Sequence, residues 1–214
     1  MKIGQDSLNL LESKAIFGRE RETPHSLDIM KAELIEGPFL IRPYRPGDID
    51  DVYEAVRESI AEVSPWLPWC HPDYNREETA AFILSREEAG QNAAEYSFGV
   101  FEKVSGHFLG GVGLNQFNHI HRIGNLGYWV RTRAIGRGIA STAARRIAQF
   151  GFEELALQRI EIVAAIANTA SQRVAEKAGA IREGVQRKRL FIHGEAQDAV
   201  VYSLVRDDLT ILSR

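Results

Sequence analysis

The residues Ile135-Gly136-Arg137-Gly138-Ile139-Ala140-Ser141 have the makings of a phosphate-binding turn. Paired glycines let a backbone approach a ligand with no Cβ in the way. The first amides of a helix have no internal partner and point outward, and the helix dipole adds roughly half a positive charge there. A phosphate is the natural guest. The spacing excludes two familiar versions of this site. A P-loop needs Lys-Ser or Lys-Thr after its second glycine, whereas Ile139-Ala140 follows Gly138. A dinucleotide fingerprint needs a third glycine where Ser141 stands. Taken alone, the segment also fits a plain strand-to-helix turn.

The elements around it decide what the turn can do. Leu126-Gly127-Tyr128-Trp129-Val130 reads as a strand entering the turn, and Ala143 to Phe150 as a helix leaving it. A second unit of the same kind follows. Arg159 to Ile166 alternates as a strand, with Ile160, Ile162, Ala164 and Ile166 on one face. Asn168 is a good N-cap with Ser171 at the third helical position. Val174, Ala175 and Ala178 form an apolar stripe, and Gly179 sits where a helix C-terminal glycine belongs.

Gly136-Arg137-Gly138-Ile139-Ala140, Asn168-x-x-Ser171 and Glu176-Lys177-Ala178-Gly179-Ala180, in this order, resemble the GNAT acetyltransferases. The nearest branch is the ribosomal-protein N-terminal acetyltransferases of RimJ/RimL type. Trp66-Leu67-Pro68-Trp69, Leu126-Gly127-Tyr128-Trp129 and His193-Gly194-Glu195-x-x-Asp198 with Tyr202 extend the likeness over roughly residues 38 to 208. One departure is Ile135, where the family's loop usually begins with Gln or Arg. The loop works through backbone amides, so this alters detail rather than cofactor.

The resemblance implies a mixed α/β fold. A central, mostly antiparallel sheet has two splayed parallel strands and helices on both faces. It implies acetyl-CoA as co-substrate, no metal, and direct attack of an amine on the thioester. The pantetheine arm would meet the backbone of Tyr128, Trp129, Val130, Arg131 and Thr132, and the pyrophosphate the amides of Arg137, Gly138, Ile139, Ala140 and Ser141. Arg131, Arg133 and Arg137 either neutralise phosphate charge or form a solvated rim. Ser171 occupies the place of the thiolate's proton donor, and Asn168 orients that region; both are also ordinary helix-capping residues. A backbone amide near Tyr128 to Val130 can hold the carbonyl oxygen, and one such donor is worth about 10²–10³ in rate. Trp66, Trp69 and His71 border the acceptor cleft or anchor their loop. Tyr202 reaches the cleft or packs.

No base stands out. Asn125 precedes the cofactor strand's Leu126-Gly127-Tyr128 and cannot take a proton, leaving Glu95, Glu161, His119 and His121 as substitutes or plain surface residues. This bears on the acceptor. At pH 7 a lysine amine must lose about 4.6 kcal/mol to deprotonate, an α-amine only about 1 to 1.4 kcal/mol. An enzyme without a strong base therefore favours a protein or peptide N-terminus over a lysine or polyamine. A small-amine acetyltransferase is the alternative, with Asp50, Asp51, Glu54 and Glu58 as candidate acidic lining. A non-catalytic acyl-CoA-binding module is the alternative of another class.

Composition sets outer limits. The chain has 214 residues, 44% of them hydrophobic, enough for a full core. Lys and Arg total 26 against 29 Asp and Glu, a net charge of −3, which argues against binding nucleic acid by bulk charge. Cys70 is the only cysteine, so there is no intrachain disulfide or cysteine-rich metal site. No stretch has the length of a membrane span and no signal peptide is visible, so a cytoplasmic location is expected. A homodimer is admitted. Residues 1–33 are expected to be an N-terminal extension, packed or mobile, in which Leu8, Leu10, Leu11, Ile16 and Phe17 can form a short helix. Residues 34–214 are expected to be one acetyltransferase domain, its elements running β-α-α-β-β-β-α-β-α-β-β.

Overall fold

The structure is a computed structural model and describes residues 33–92 and 94–211. The short helix expected within residues 1–33 lies outside the described residues.

Eight strands form one sheet: β1 (Leu34–Glu36), β2 (Phe39–Pro43), β3 (Tyr96–Glu102), β4 (Phe108–Asn118), β5 (Ile123–Val130), β6 (Arg159–Ala165), β7 (Ile181–Ile192) and β8 (Glu195–Leu204). Their order across the sheet is β1-β2-β3-β4-β5-β6-β8-β7. Every neighbouring pair is antiparallel except β5 and β6. The helices are α1 (Ile49–Val63), α2 (Arg76–Gln91), α3 (Ile139–Glu153), α4 (Thr169–Ala178) and α5 (Arg206–Ile211). The mixed, mostly antiparallel sheet expected from the resemblance is what the chain forms. Two elements escaped the sequence reading. β1 has only three residues and pairs with β2 across a turn at Gly37, whose φ is +57°; α5 is a short helix after the last strand.

Alternation along the strands feeds two cores. Val52, Val56 and Val63 of α1 and Ile83 of α2 pack with Phe101 and Phe108. Ala143, Ala144 and Ile147 of α3 and Ala175 and Ala178 of α4 pack with Phe98, Leu114, Leu126, Ile160 and Ile162. In β5, Leu126 and Tyr128 belong to the second core and Trp129 to the first, as a period of two requires.

Local chemistry fixes the helix starts. Asn75 Oδ1 accepts from Glu78 N at 3.0 Å while Glu78 Oε1 accepts from Asn75 N at 3.1 Å, a reciprocal capping box at the head of α2. Asp48 stands just before α1, but its carboxylate does not cap that helix. It accepts two bonds from Arg42, at 2.7 and 2.8 Å, and one from Arg45 N. α3 follows Gly138, in left-handed conformation, with no side-chain cap.

Candidate active site

The sheet opens at its parallel pair. β5 and β6 match at Ile123–Arg159, Gly124–Ile160 and Asn125–Glu161, and then pairing stops. Beyond that point each strand is held from its other side. β5 stays with β4 to Val130–Gly110, and β6 stays with β8 to Ala165–Ala199. Pulled by different neighbours, the two strands part. A cavity of about 1450 Å³ occupies the opening and reaches the aromatic loop after α1. Its wall includes Tyr128 and Val130 of β5, and Ile162 and Ala164 of β6.

The glycine turn borders the same cavity through Gly136, Gly138, Ile139, Ala140 and Ser141. Gly136 and Gly138 have φ of +86° and +76°, a conformation that disfavours any side chain. A Cβ at either would meet nothing within 4 Å, so the space before them is open. With no side-chain cap, the first amides of α3 remain available to a ligand. A diphosphate fits a turn of this form: open, glycine-walled and lined by main-chain donors.

The three arginines around the turn have other engagements. Arg131 is buried, and its guanidinium donates to Glu58 Oε2 at 2.7 Å and Phe108 O at 3.0 Å. Its amide donates to Leu109 O, and the amide of Thr132 to Ser59 Oγ. Both the side chain and the amide of Arg131 are thus turned away from the cavity, against the expectation that placed them on the ligand. Arg133 lies beside the same Glu58, which accepts its amide at 2.8 Å. Arg137 pairs with Glu102 at 2.7 Å. Burial alone would raise the Glu58 pKa, but the bonds from Arg131 and Arg133 prevail and hold it below its ordinary value. Arg173 and Lys177 of α4 do line the cavity, and neither carries an ion pair among the described residues. Sequence reasoning missed them; their four-residue spacing on one helix face was the available signal.

At the head of the same helix, Asn168 caps α4, its Oδ1 accepting from Ser171 N at 3.0 Å. The Tyr128 hydroxyl reaches Ser171 from β5, donating to its carbonyl at 2.9 Å and lying 3.1 Å from its Oγ. Burial pushes the Tyr128 phenol up to about 12, the Ser171 contact opposing only part of that rise.

Trp66, Trp69 and His71 all line the cavity. Trp69 also packs edge-on against Trp129 at 5.6 Å and Tyr74 at 6.1 Å, so the same ring anchors its loop and faces the opening. His71 Nε2 lies 2.9 Å from Glu78 Oε2, and this contact lowers the carboxyl pKa. The capping glutamate of α2 therefore also orients an imidazole. Tyr202 packs: it is buried on β8 and its hydroxyl donates to Glu176 Oε1 at 3.1 Å.

The candidate bases divide. His119 and His121 are exposed beside the β4–β5 turn, and Glu161 pairs with Arg159 at 2.9 Å. Glu95 lines the cavity but pairs with Arg86 at 2.8 Å and accepts from Ser97 Oγ. Asn125 donates to Asn115 Oδ1 at 2.9 Å. Asp50, Asp51, Glu54 and Glu58 do not border the cavity.

A sheet opened at its one parallel pair, with a free helix start at the opening, sets the class of protein. Residues 39–181 match the Acetyltransferase (GNAT) domain, and the chain belongs to that family: it is an acyltransferase. It is similar to YdaF of Bacillus subtilis (strain 168), provisionally named a ribosomal N-acetyltransferase. The two are 28% identical over 169 residues, covering 78% of this chain and 90% of that protein. It is also similar to the spermidine N(1)-acetyltransferase of Vibrio cholerae, 29% identical over 99 residues, or 46% of this chain and 57% of that one. Among solved structures, RimL, a ribosomal L7/L12 alpha-N-protein acetyltransferase in complex with coenzyme A, aligns with a TM-score of 0.74. That alignment covers 82% of this chain and 98% of RimL at 19% identity, a likeness of fold.

Proposed function

We propose that the chain transfers an acetyl group from acetyl-CoA to the N-terminal α-amine of a protein or peptide, of the ribosomal-protein kind. The observation that carries this reading is the continuous cavity joining the opened β5–β6 pair, the glycine turn and the aromatic loop. Bound acetyl-CoA supplies the activated thioester. The amides from Arg137 to Ser141 hold its diphosphate, and Arg173 and Lys177 offset the charge. The unpaired edge of β5 at Tyr128 and Val130 receives the pantetheine arm as a strand would be received.

Ser171 gives a proton to the departing thiolate. Asn168 fixes the serine by capping its amide. The Tyr128 hydroxyl stays protonated across the working range and can replenish the proton. His71, backed by Glu78, takes the proton of the incoming amine; imidazole is the side chain suited to that task near neutral pH. Such a base is matched to an α-amine with a reference pKa of about 7.7–8.0 and poorly matched to lysine at about 10.4. Trp66 and Trp69 flank the acceptor's first residues.

The names of these relatives point to both a ribosomal acceptor and a polyamine. The lining favours the first: Asp50, Asp51, Glu54 and Glu58 of α1 lie outside the cavity, and Glu62, the one α1 acid in its wall, already accepts a hydrogen bond from Thr132 Oγ1. The test is release of free CoA thiol from acetyl-CoA with three acceptor sets: N-terminal peptides, Nα-blocked lysine peptides and spermidine. Faster turnover of the first set is expected. Equal or better turnover of lysine side chains or spermidine overturns the reading.

A further inference from the structure

Strand β7 is the outer edge of the sheet, and its register with β8 breaks near the cavity. Gln186 faces Ala199 and Leu190 faces Gln197, so Asp198 alone stands opposite Arg187, Lys188 and Arg189. Bulges of this kind re-aim side chains beside functional sites. Lys188 takes φ of +53°, costly for a residue with a side chain. Asp198 holds it there, its Oδ1 accepting from Lys188 N at 2.9 Å, while Lys188 Nζ donates to Ala196 O. The carboxylate that faces the bulge is thus spent on the backbone. Arg187 and Arg189 are exposed and have no acidic partner among the described residues.

The bulge leads directly to the cavity, whose wall includes Arg189 and Phe191. Phe191 is 73% exposed, unusual for a phenylalanine without a partner. Just past it, His193 Nε2 donates to Ser64 O at 2.7 Å, tying the β7–β8 hairpin to the aromatic loop on the other side of the mouth. The cavity's own carboxylates are already engaged. Glu62 accepts from Thr132 Oγ1, Glu78 holds His71 and Glu95 pairs with Arg86. Of the charged residues lining the cavity, Arg173, Lys177 and Arg189 carry no ion pair among the described residues, against the single acid Glu62, so the unpaired charge there is net positive.

We infer that the acceptor is an extended N-terminal segment bearing carboxylate side chains a few residues behind its amine. It lies along the open edge of β7, with its acids against Arg187 and Arg189 and its chain against Phe191. An open strand edge offers main-chain hydrogen bonds to such a segment, and the unpaired arginines offer charge complementarity. A polyamine, cationic along its whole length, is disfavoured by the same residues. This rests on the N-terminal acceptor reading and narrows it.

The test compares peptides of one length and one first residue, carrying Asp/Glu, Gln or Lys in the following positions. Exposed charge pairs are worth about 1.4- to 5-fold each, so two arginines give a kcat/KM preference for acidic over basic peptides of about 2- to 25-fold. The preference shrinks as salt is added. The double variant Arg187→Glu/Arg189→Glu reverses the order, and Arg187→Gln/Arg189→Gln flattens it. Peptide turnover independent of charge, or a preference that persists in both variants, overturns this inference and leaves the N-terminal reading standing. Turnover of spermidine with none of any peptide overturns both.

Discussion

The Tyr128 hydroxyl crosses from strand β5 to the cap of helix α4 and meets Ser171 twice, at its carbonyl and at its Oγ. The two residues lie on opposite banks of the opening in the sheet. A phenol held at about 12 by burial is a donor throughout the range in which the enzyme works.

Ser171→Ala is therefore expected to lower kcat, within the roughly 10²–10⁴-fold range of a lost proton donor, with little change in the KM for acetyl-CoA. Tyr128→Phe should lower it by less. Because the two hydroxyls would act in one proton path, the double variant should be no slower than about the serine variant alone. Steady-state rates on an N-terminal peptide check this. An alkaline fall in rate assignable to Tyr128 should not appear below about pH 10, since the phenol titrates near 12.

Glu58 sets the approach to the glycine turn by holding Arg131 and the amide of Arg133. Arg131 Nε already lacks a partner in its buried site. Glu58→Ala leaves more of that guanidinium unsatisfied and should cost about 1–3 kcal/mol of stability. The KM for acetyl-CoA should rise more than kcat falls, because the 131–133 segment leads into the turn. Thermal unfolding and cofactor titration read the two effects separately.

Gly138→Trp should raise the KM for acetyl-CoA at least tenfold, since the space before Gly138 is open for a ligand and would be filled. The left-handed backbone there adds a stability cost of about 1–2 kcal/mol. Unchanged cofactor affinity in the folded variant would remove the turn from the mechanism.

Glu183 joins β7 to Arg159 of β6 and Ser203 of β8. The bond from Arg159, then that from Ser203, lowers its pKa from 4.5 to about 2. A depressed carboxyl contributes stability that is fully present above 4.5 and is lost as pH falls through about 2. Melting temperatures measured from pH 6 downward should fall less steeply in that window for Glu183→Gln than for the natural protein.

Features encoded within a few consecutive residues were legible in the sequence. The glycine turn, the Asn75–Glu78 box, the Asn168 cap and the Gly179 terminus all depend on neighbours within one helical turn. Contacts between distant segments were not. Arg131 looked like a phosphate ligand because it precedes the turn, yet Glu58 stands 73 residues earlier in the chain and claims it. Tyr202 shares the buried parity of Val200 and Leu204 on β8, which only the sheet order assigns to a core. Glu78 was readable as a cap but not as the partner of His71, since that depends on how the aromatic loop folds back.

Three register pairs, from Ile123–Arg159 to Asn125–Glu161, are the entire seam between a five-stranded leaf and a three-stranded one. Such a seam behaves like a zip left mostly undone. A guest whose amides bridge both leaves would finish the zip. Substrate loading would then stiffen the whole scaffold, and turnover would alternate between a tighter and a slacker form of the enzyme.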